Sequence, residues 1–323
     1  MGKGMNNTIK AGQSAESVED MLRGELAQGD VILSIARPIL RHLLANDDHA
    51  LFSDEVIAKI RGMMTHLARQ LLFELAEELK KDDRDPFVEQ NQDALATMLL
   101  DDTAFLGHAH ALSIEAQLAE RLQSRSGIDP VLSPLLQELA ASGDEAQAAA
   151  AMRVVASQAR FMQHQRRMEL PLAELPAELF HAATRALKTS QTDYPREAEA
   201  VRDRLRREFD ESDRRVGQMT RLVMAMGGNA KRALAVDHAG LSVFSTALCM
   251  ASEQERDVAV LALGENQCAR LALSLRAAGL GQSAVEEQFL YLHPEITLPE
   301  GFDALRADRA AALLTSAATG TAH

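Results

Sequence analysis

Paired carboxylates and imidazoles are the first place chemistry would show in this sequence. Glu178-Leu179-Phe180-His181 has the Glu-x-x-His spacing that sets a carboxylate and an imidazole on one helix face, as in di-iron carboxylate bundles. Such a centre needs a second copy, and this spacing occurs once. The alternative is a helix entered through Pro176, with Glu178 complementing the dipole of its first turn. His108 and His110, close to Asp101 and Asp102, would point the same way on an extended backbone and there could share a metal ion. On a helix they diverge by about 200°, and the flanking Gly107 and Ala111-Leu112-Ser113 favour a helix with ordinary polar histidines.

His66, in Met63-Met64-Thr65-His66-Leu67-Ala68-Arg69-Gln70, borders the apolar stripe of a helical stretch. An exposed helical histidine can accept a phosphoryl group, and Arg69 one turn on would supply a charge-assisted contact. The sequence has no Gly-rich nucleotide loop with which to phosphorylate itself. Nucleophilic catalysis has no motif either: there is no Gly-x-Ser-x-Gly elbow, and Cys249 and Cys268 sit in apolar helical surroundings that keep a thiol inert. Gly227-Gly228-Asn229-Ala230-Lys231 follows a helix and not a strand, so it is not a phosphate-binding loop. No catalytic residue and no cofactor is expected.

The elements that must position these residues read as helical throughout. Aromatics are 4% of the 323 residues, Trp is absent, and no long period-two alternation occurs. Val56, Ile60, Met63, Leu67, Leu71 and Leu75 recur at three- and four-residue spacing and predict a helix over 54–80, with Ser53 as its N-cap. Before it, Val31–Leu44 should start or kink at Pro38. Helices follow over 87–100, 103–122, 132–141 and 145–168, the last with Met152, Val155, Ala159 and Met162 on one side. Asp193-Tyr194-Pro195 opens a long charged helix, Arg196–Met226, closed by Gly227-Gly228.

That long helix carries Arg202, Arg204, Arg206, Arg207, Arg214 and Arg215 interleaved with Asp203, Glu208, Asp210, Glu211 and Asp213. Its field nearly cancels and Phe209 is the one aromatic residue among them, so it predicts a solvated helix laced with ion pairs, or a docking face built on Arg202, Arg206, Arg207 and Arg214. Arg160–Arg167 is the only locally basic spot. Across the chain 47 acidic residues face 34 basic ones for a net charge of −13, which argues against nucleic acid and anionic membranes as partners. No run of about 18 apolar residues could span a bilayer. With two cysteines and no secretory leader pattern, a cytoplasmic setting is expected.

Met224-Ala225-Met226-Gly227-Gly228-Asn229 aligns with Leu261-Ala262-Leu263-Gly264-Glu265-Asn266, and Ala239-Gly240-Leu241 with Ala278-Gly279-Leu280. Two landmarks that keep nearly one offset, just under 40 residues, point to a repeated two-helix unit. The segment Met224–His293 resembles HEAT-like two-helix repeats, and the chain as a whole resembles bacterial all-helical families. That resemblance implies interaction surfaces more than catalysis and transfers no catalytic residue.

The expected protein is therefore all-α. Residues 1–13 form a disordered N-terminus, 14–127 a helical bundle, 128–314 α-hairpin repeats and 315–323 a disordered tail, the boundary being the Ser-, Gly- and Pro-bearing stretch 123–130. Its expected function is that of a non-catalytic helical adaptor binding another protein, with self-association alongside. The alternatives are a signalling module in which His66 accepts phosphate and a metal-dependent helical enzyme using Glu178 and His181.

Overall fold

The computed structural model describes residues 3–46, 54–264 and 267–320. Among them every regular element is helical and no strand occurs. None of these helices is long and apolar enough to cross a membrane. The chain forms two compact units, each drawn from separated segments: Met1–Ala36, Gln117–Ala151 and Leu222–His323 in one, Arg37–Ala116 and Met152–Arg221 in the other. The helices in chain order are α1 (Lys3–Asn46), α2 (Asp54–Glu78), α3 (Asp85–Asp101), α4 (Thr103–Ser126), α5 (Pro134–Ala140), α6 (Glu145–Arg166), α7 (Ala177–Ser190), α8 (Pro195–Glu208) and α9 (Arg215–Ala225). After these come α10 (Val236–Ala239), α11 (Leu241–Ser252), α12 (Arg256–Leu261), α13 (Cys268–Ala277), α14 (Gln282–Leu292) and α15 (Ala307–Gly320).

The second unit is built around α2. Its predicted stripe is buried from Val56 to Leu75, and Ile57, Met64, Ala68, Leu72 and Ala76 widen it until most of the helix circumference is apolar. A helix of that kind needs neighbours on several sides, and α3, α7 and α8 supply them. The Ser53 cap falls outside the described residues. At roughly 1.5–3 kcal/mol for each large apolar side chain buried, α2 is the main source of hydrophobic stabilisation in this unit.

α1 runs through Pro38, so of the two expected outcomes there a helix start is not the one taken; one proline forfeits a single backbone hydrogen bond of a 44-residue helix. One expectation about helix boundaries is corrected. The stretch predicted as one helix, Arg196–Met226, is two. Phe209 is extended, the Asp210 carboxylate accepts from the Ser212 amide at 2.8 Å, and Glu211–Asp213 forms a 3-10 turn before α9 starts at Arg215. Gly217 makes the turn feasible, because a Cβ there would meet the Glu211 carbonyl and lie 2.9 Å from that of Ser212.

In the first unit α11 is buried on nearly its whole surface among α10, α12, α13 and the 3-10 segment Gly227–Leu234, while α13 also packs against α15. The hydroxyls of Ser245 and Thr246 cost little to bury because each returns to the Ser242 carbonyl, at 3.1 and 2.8 Å. Gly240 and Gly279, the paired Ala-Gly-Leu landmarks, both take positive φ, 71° and 87°. The helices before them differ: Gly227–Leu234 is 3-10 and α10 has four residues, whereas α13 has ten. Glu265 and Asn266 lie outside the described residues. The segment 123–130 lies within this unit, with Gly127 at φ 69° ending α4.

Candidate functional site

In the second unit α6 is fixed by a buried polar network that starts on α9. Arg215 donates to both Glu115 carboxylate oxygens, at 2.7 and 3.0 Å, and to the Gln158 amide oxygen on α6 at 3.1 Å. Its guanidinium carbon lies 3.7 Å from the ring centre of Phe161, also on α6. The side chains of Arg215 and Glu115 are 4% and 0% exposed. Further along α6, the Gln165 amide donates to the Met63 sulfur at 3.6 Å. The buried face of this part of α6 is thus Val154, Ser157, Gln158, Phe161, Met162 and Gln165.

The connection after α6 is pinned just as closely. Arg214 donates from Nε to the Asp210 carbonyl at 3.2 Å and from Nη1 to the carbonyls of Ala173 and, at 3.1 Å, Leu175, while it stacks 3.8 Å from the Phe209 ring centre. Burial pushes its pKa down from the usual arginine value, the nearby Glu174, Glu211 and Asp210 opposing that shift. Glu174 accepts from the Arg215 amide at 3.0 Å. At the α6 terminus Met168 takes φ 57°, and the His164 Nδ1 and Glu169 carboxylate meet at 2.8 Å.

With its inner face so committed, α6 turns a distinct outer face to solvent. Met152, Arg153, Ala156, Ala159, Arg160 and Gln163 on it, and Arg167 directly after it, are all exposed. The order Met152, Ala156, Ala159, Gln163 runs at spacings of four, three and four, the a/d seam of a heptad with Met152 at d. Arg153 and Arg160 then both occupy position e, bordering the seam along one edge, and Arg167 follows at the same interval in the turn beyond the helix, with Glu169 beside it. No Asp or Glu occurs between Glu145 and Glu169, and among the described residues neither Arg153 nor Arg160 is in an ion pair. In a chain of net charge −13, this is a helix face with unneutralised positive charge beside small apolar side chains.

The α8 arginines are placed differently. Arg202 is half-buried between Glu199 and Asp203, and Arg204 pairs with Glu74 at 2.8 Å. Arg206 and Arg207 are exposed, with Asp203 and Asp210 within one turn of chain. Arg214 and Arg215 are interior, 8% and 3% exposed, so the solvated face expected of this stretch does not extend to them. Of the apolar side read for α6, Met162 is buried and Val155 half-buried, while Met152 and Ala159 are exposed. Met219 and Met226 are core, but Met224 is 67% exposed.

His66 is half-buried on α2, with Nδ1 2.9 Å from the Leu170 carbonyl. The Gln70 amide is oriented by its oxygen, which accepts from the Leu172 amide at 2.8 Å, and its two N–H groups face the carbonyls of Leu170 and His66 at 2.9 and 3.1 Å. His66 Nδ1 is also 3.0 Å from the Gln70 amide nitrogen, so one tautomer donates from Nδ1–H to Leu170 and leaves the lone pair on Nε2, while the other accepts at Nδ1 from Gln70. Arg69 is engaged with Gln92 at 3.1 Å and with the Phe73 ring. Glu178 is exposed and His181 half-buried, its ring beside the Phe180–Phe209 pair at 5.7 and 5.8 Å between centres. His108 is buried and His110 half-buried on α4, with Asp101 and Asp102 exposed. Among the described residues no group of three His, Cys, Asp or Glu side chains is placed to hold a metal ion. Comparison of the chain with protein-family models, with curated proteins and with solved structures finds no match.

Proposed function

We propose that the protein is a non-catalytic helical adaptor that binds another protein, and that the outer face of α6 is its docking surface. One observation carries this: a rigidly anchored helix presents an exposed a/d seam edged by Arg153 and Arg160, neither of which is in an ion pair among the described residues. The HEAT-like arrangement of Met224–His293 belongs to the same proposal, supported by the positive φ that Gly240 and Gly279 share. A cytoplasmic setting suits Cys249 and Cys268, which are not in disulfides. The test places a photoreactive side chain at Ala156 of the intact chain and irradiates living cells. A discrete crosslinked protein is expected at Ala156 and not at exposed Arg207; equal labelling at both sites overturns the docking surface.

A second reading rests on His66. In the tautomer whose Nδ1–H donates to the Leu170 carbonyl, the ring is oriented and Nε2 is left as the nucleophile, the state a phospho-accepting histidine requires. Incubation with phosphoramidate is expected to give an acid-labile adduct that is absent from His66→Ala, and an equal adduct in the variant removes this reading.

A further inference from the structure

From the α6 face we infer the chemistry of the partner: an amphipathic α-helix with its own apolar seam and a carboxylate repeating every seven residues along one border. The inference rests on the adaptor proposal and makes it specific. Charge decides the class first. Arg153 and Arg160 stand seven residues apart with no carboxylate from Ala146 to Met168, and among the described residues neither is in an ion pair, whereas the α8 arginines have acids within a turn and Arg167, in the turn after α6, has Glu169 beside it. An incoming Glu or Asp would therefore meet no competing partner on α6, and a basic helix would be repelled.

Spacing decides the shape. Seven residues of α-helix rise about 10.5 Å, so Arg153 and Arg160 stand about that far apart in near-register with one edge of the seam. A second helix packed along that seam presents its own heptad positions at the same interval, which is how border charges select partners in coiled coils. Ala156 and Ala159 carry one methyl each, so a partner backbone can approach closely, and Met152 supplies the largest apolar contact. Single-stranded nucleic acid fits less well. The seam holds no aromatic ring for bases to stack on, Phe161 being buried, and the net charge of −13 repels a polyanion.

The experiment uses the full chain and three synthetic peptides of equal length: a helical peptide with Leu and Ala in its seam and Glu at every seventh border position, the same peptide with Lys for Glu, and a scramble of the first with its composition kept. Fluorescence anisotropy at low and high salt is read for the native chain and for Arg153→Glu/Arg160→Glu, whose exposed positions allow folding to be checked by circular dichroism. The native chain is expected to bind the Glu peptide at least about tenfold more tightly than the scramble, with affinity falling as salt rises. The doubly reversed chain should lose that preference and gain one for the Lys peptide. Equal binding of the Glu peptide and the scramble overturns the inference, as does equal displacement of the peptide by a single-stranded oligonucleotide. Dimerisation of the chain alone that charge reversal abolishes, seen by sedimentation equilibrium, assigns the face to a second copy and also overturns it. Crosslinking at Ala156 together with peptide failure leaves the adaptor standing and removes only the acidic helix.

Discussion

Glu115 and Arg215 form the contact on which the candidate surface depends, and Glu115→Gln is the sharpest perturbation of it. The substitution keeps the side-chain volume but removes the counter-charge from a guanidinium that cannot lose its proton. Arg215 is then left in the interior without a counter-charge, held by the Gln158 amide oxygen at 3.1 Å, the Phe161 ring and the single acceptor of the new amide. Two unit charges about 4 Å apart at an effective dielectric of 20 attract by about 4 kcal/mol, in line with the 3–5 kcal/mol typically lost when one partner of a buried pair is removed. The expected cost is therefore about 3–5 kcal/mol, a lowering of Tm on the order of 10 °C. Arg215→Met is the reciprocal cut and should also destabilise the unit, because it strands the Glu115 carboxylate. The double variant Glu115→Leu/Arg215→Met leaves no charge behind and should recover most of the loss. Since the chain has no Trp, urea unfolding is followed by far-ultraviolet circular dichroism. A Glu115→Gln cost below about 1 kcal/mol, with no recovery in the double variant, would refute the reasoning.

Four more outcomes follow from local geometry. Gly62→Ala places a Cβ 2.6 Å from the Met168 Cβ and 2.8 Å from its carbonyl oxygen, so a loss of about 1–3 kcal/mol is expected; an unchanged melting temperature would contradict it. Arg214→Lys cannot reach the Asp210, Ala173 and Leu175 carbonyls together, and limited proteolysis should cut within 170–176 faster while helicity is retained. The hydrogen bond from His164 holds the Glu169 carboxyl below its usual range, so its stabilisation is present above the ordinary carboxylate pKa and lost as pH falls through the lower folded value. The stability gap between native protein and Glu169→Gln should accordingly close between pH 6 and pH 3, and a gap constant with pH would exclude that role. Met219→Ala should cost about 2–5 kcal/mol, while Met224→Gln, at an exposed position, should stay within about 0.5 kcal/mol by urea titration.

α2 was legible because its burial follows directly from an apolar period of three and four residues, and no distant partner is needed to predict which side faces in. The break between α8 and α9 was hidden for the opposite reason. Asp210 and Ser212 read as one more charged and polar pair on a helix, yet their side-chain-to-backbone bond competes with helix continuation and wins where Gly217 admits the turn. Arg214 and Arg215 look solvated beside so many acids, but Arg215 finds its carboxylate on Glu115, 100 residues away in sequence. No single-sequence pattern encodes that pairing.

The same distant bond explains why the candidate surface could not be read from α6 itself. An apolar-in assignment sends Met152 and Ala159 to the core and Gln158 to solvent, which is the reverse of what the structure shows. Once Arg215 requires an acceptor from α6, Gln158 must face inward, and a helix has only one rotation about its axis. Ser157, Phe161 and Gln165 then follow it in, and Met152, Ala156, Ala159 and Gln163 are turned out together with Arg153 and Arg160. The exposed seam is thus a consequence of the buried ion pair. If that is correct, Glu115→Leu/Arg215→Met, in which no guanidinium holds Gln158, should keep the stability of the unit yet loosen the orientation of α6. Hydrogen exchange along 152–166 should rise, and affinity for the Glu-bordered helical peptide should fall although every residue of the docking face is unchanged. Full affinity in that double variant would show that the seam is oriented by its apolar neighbours alone.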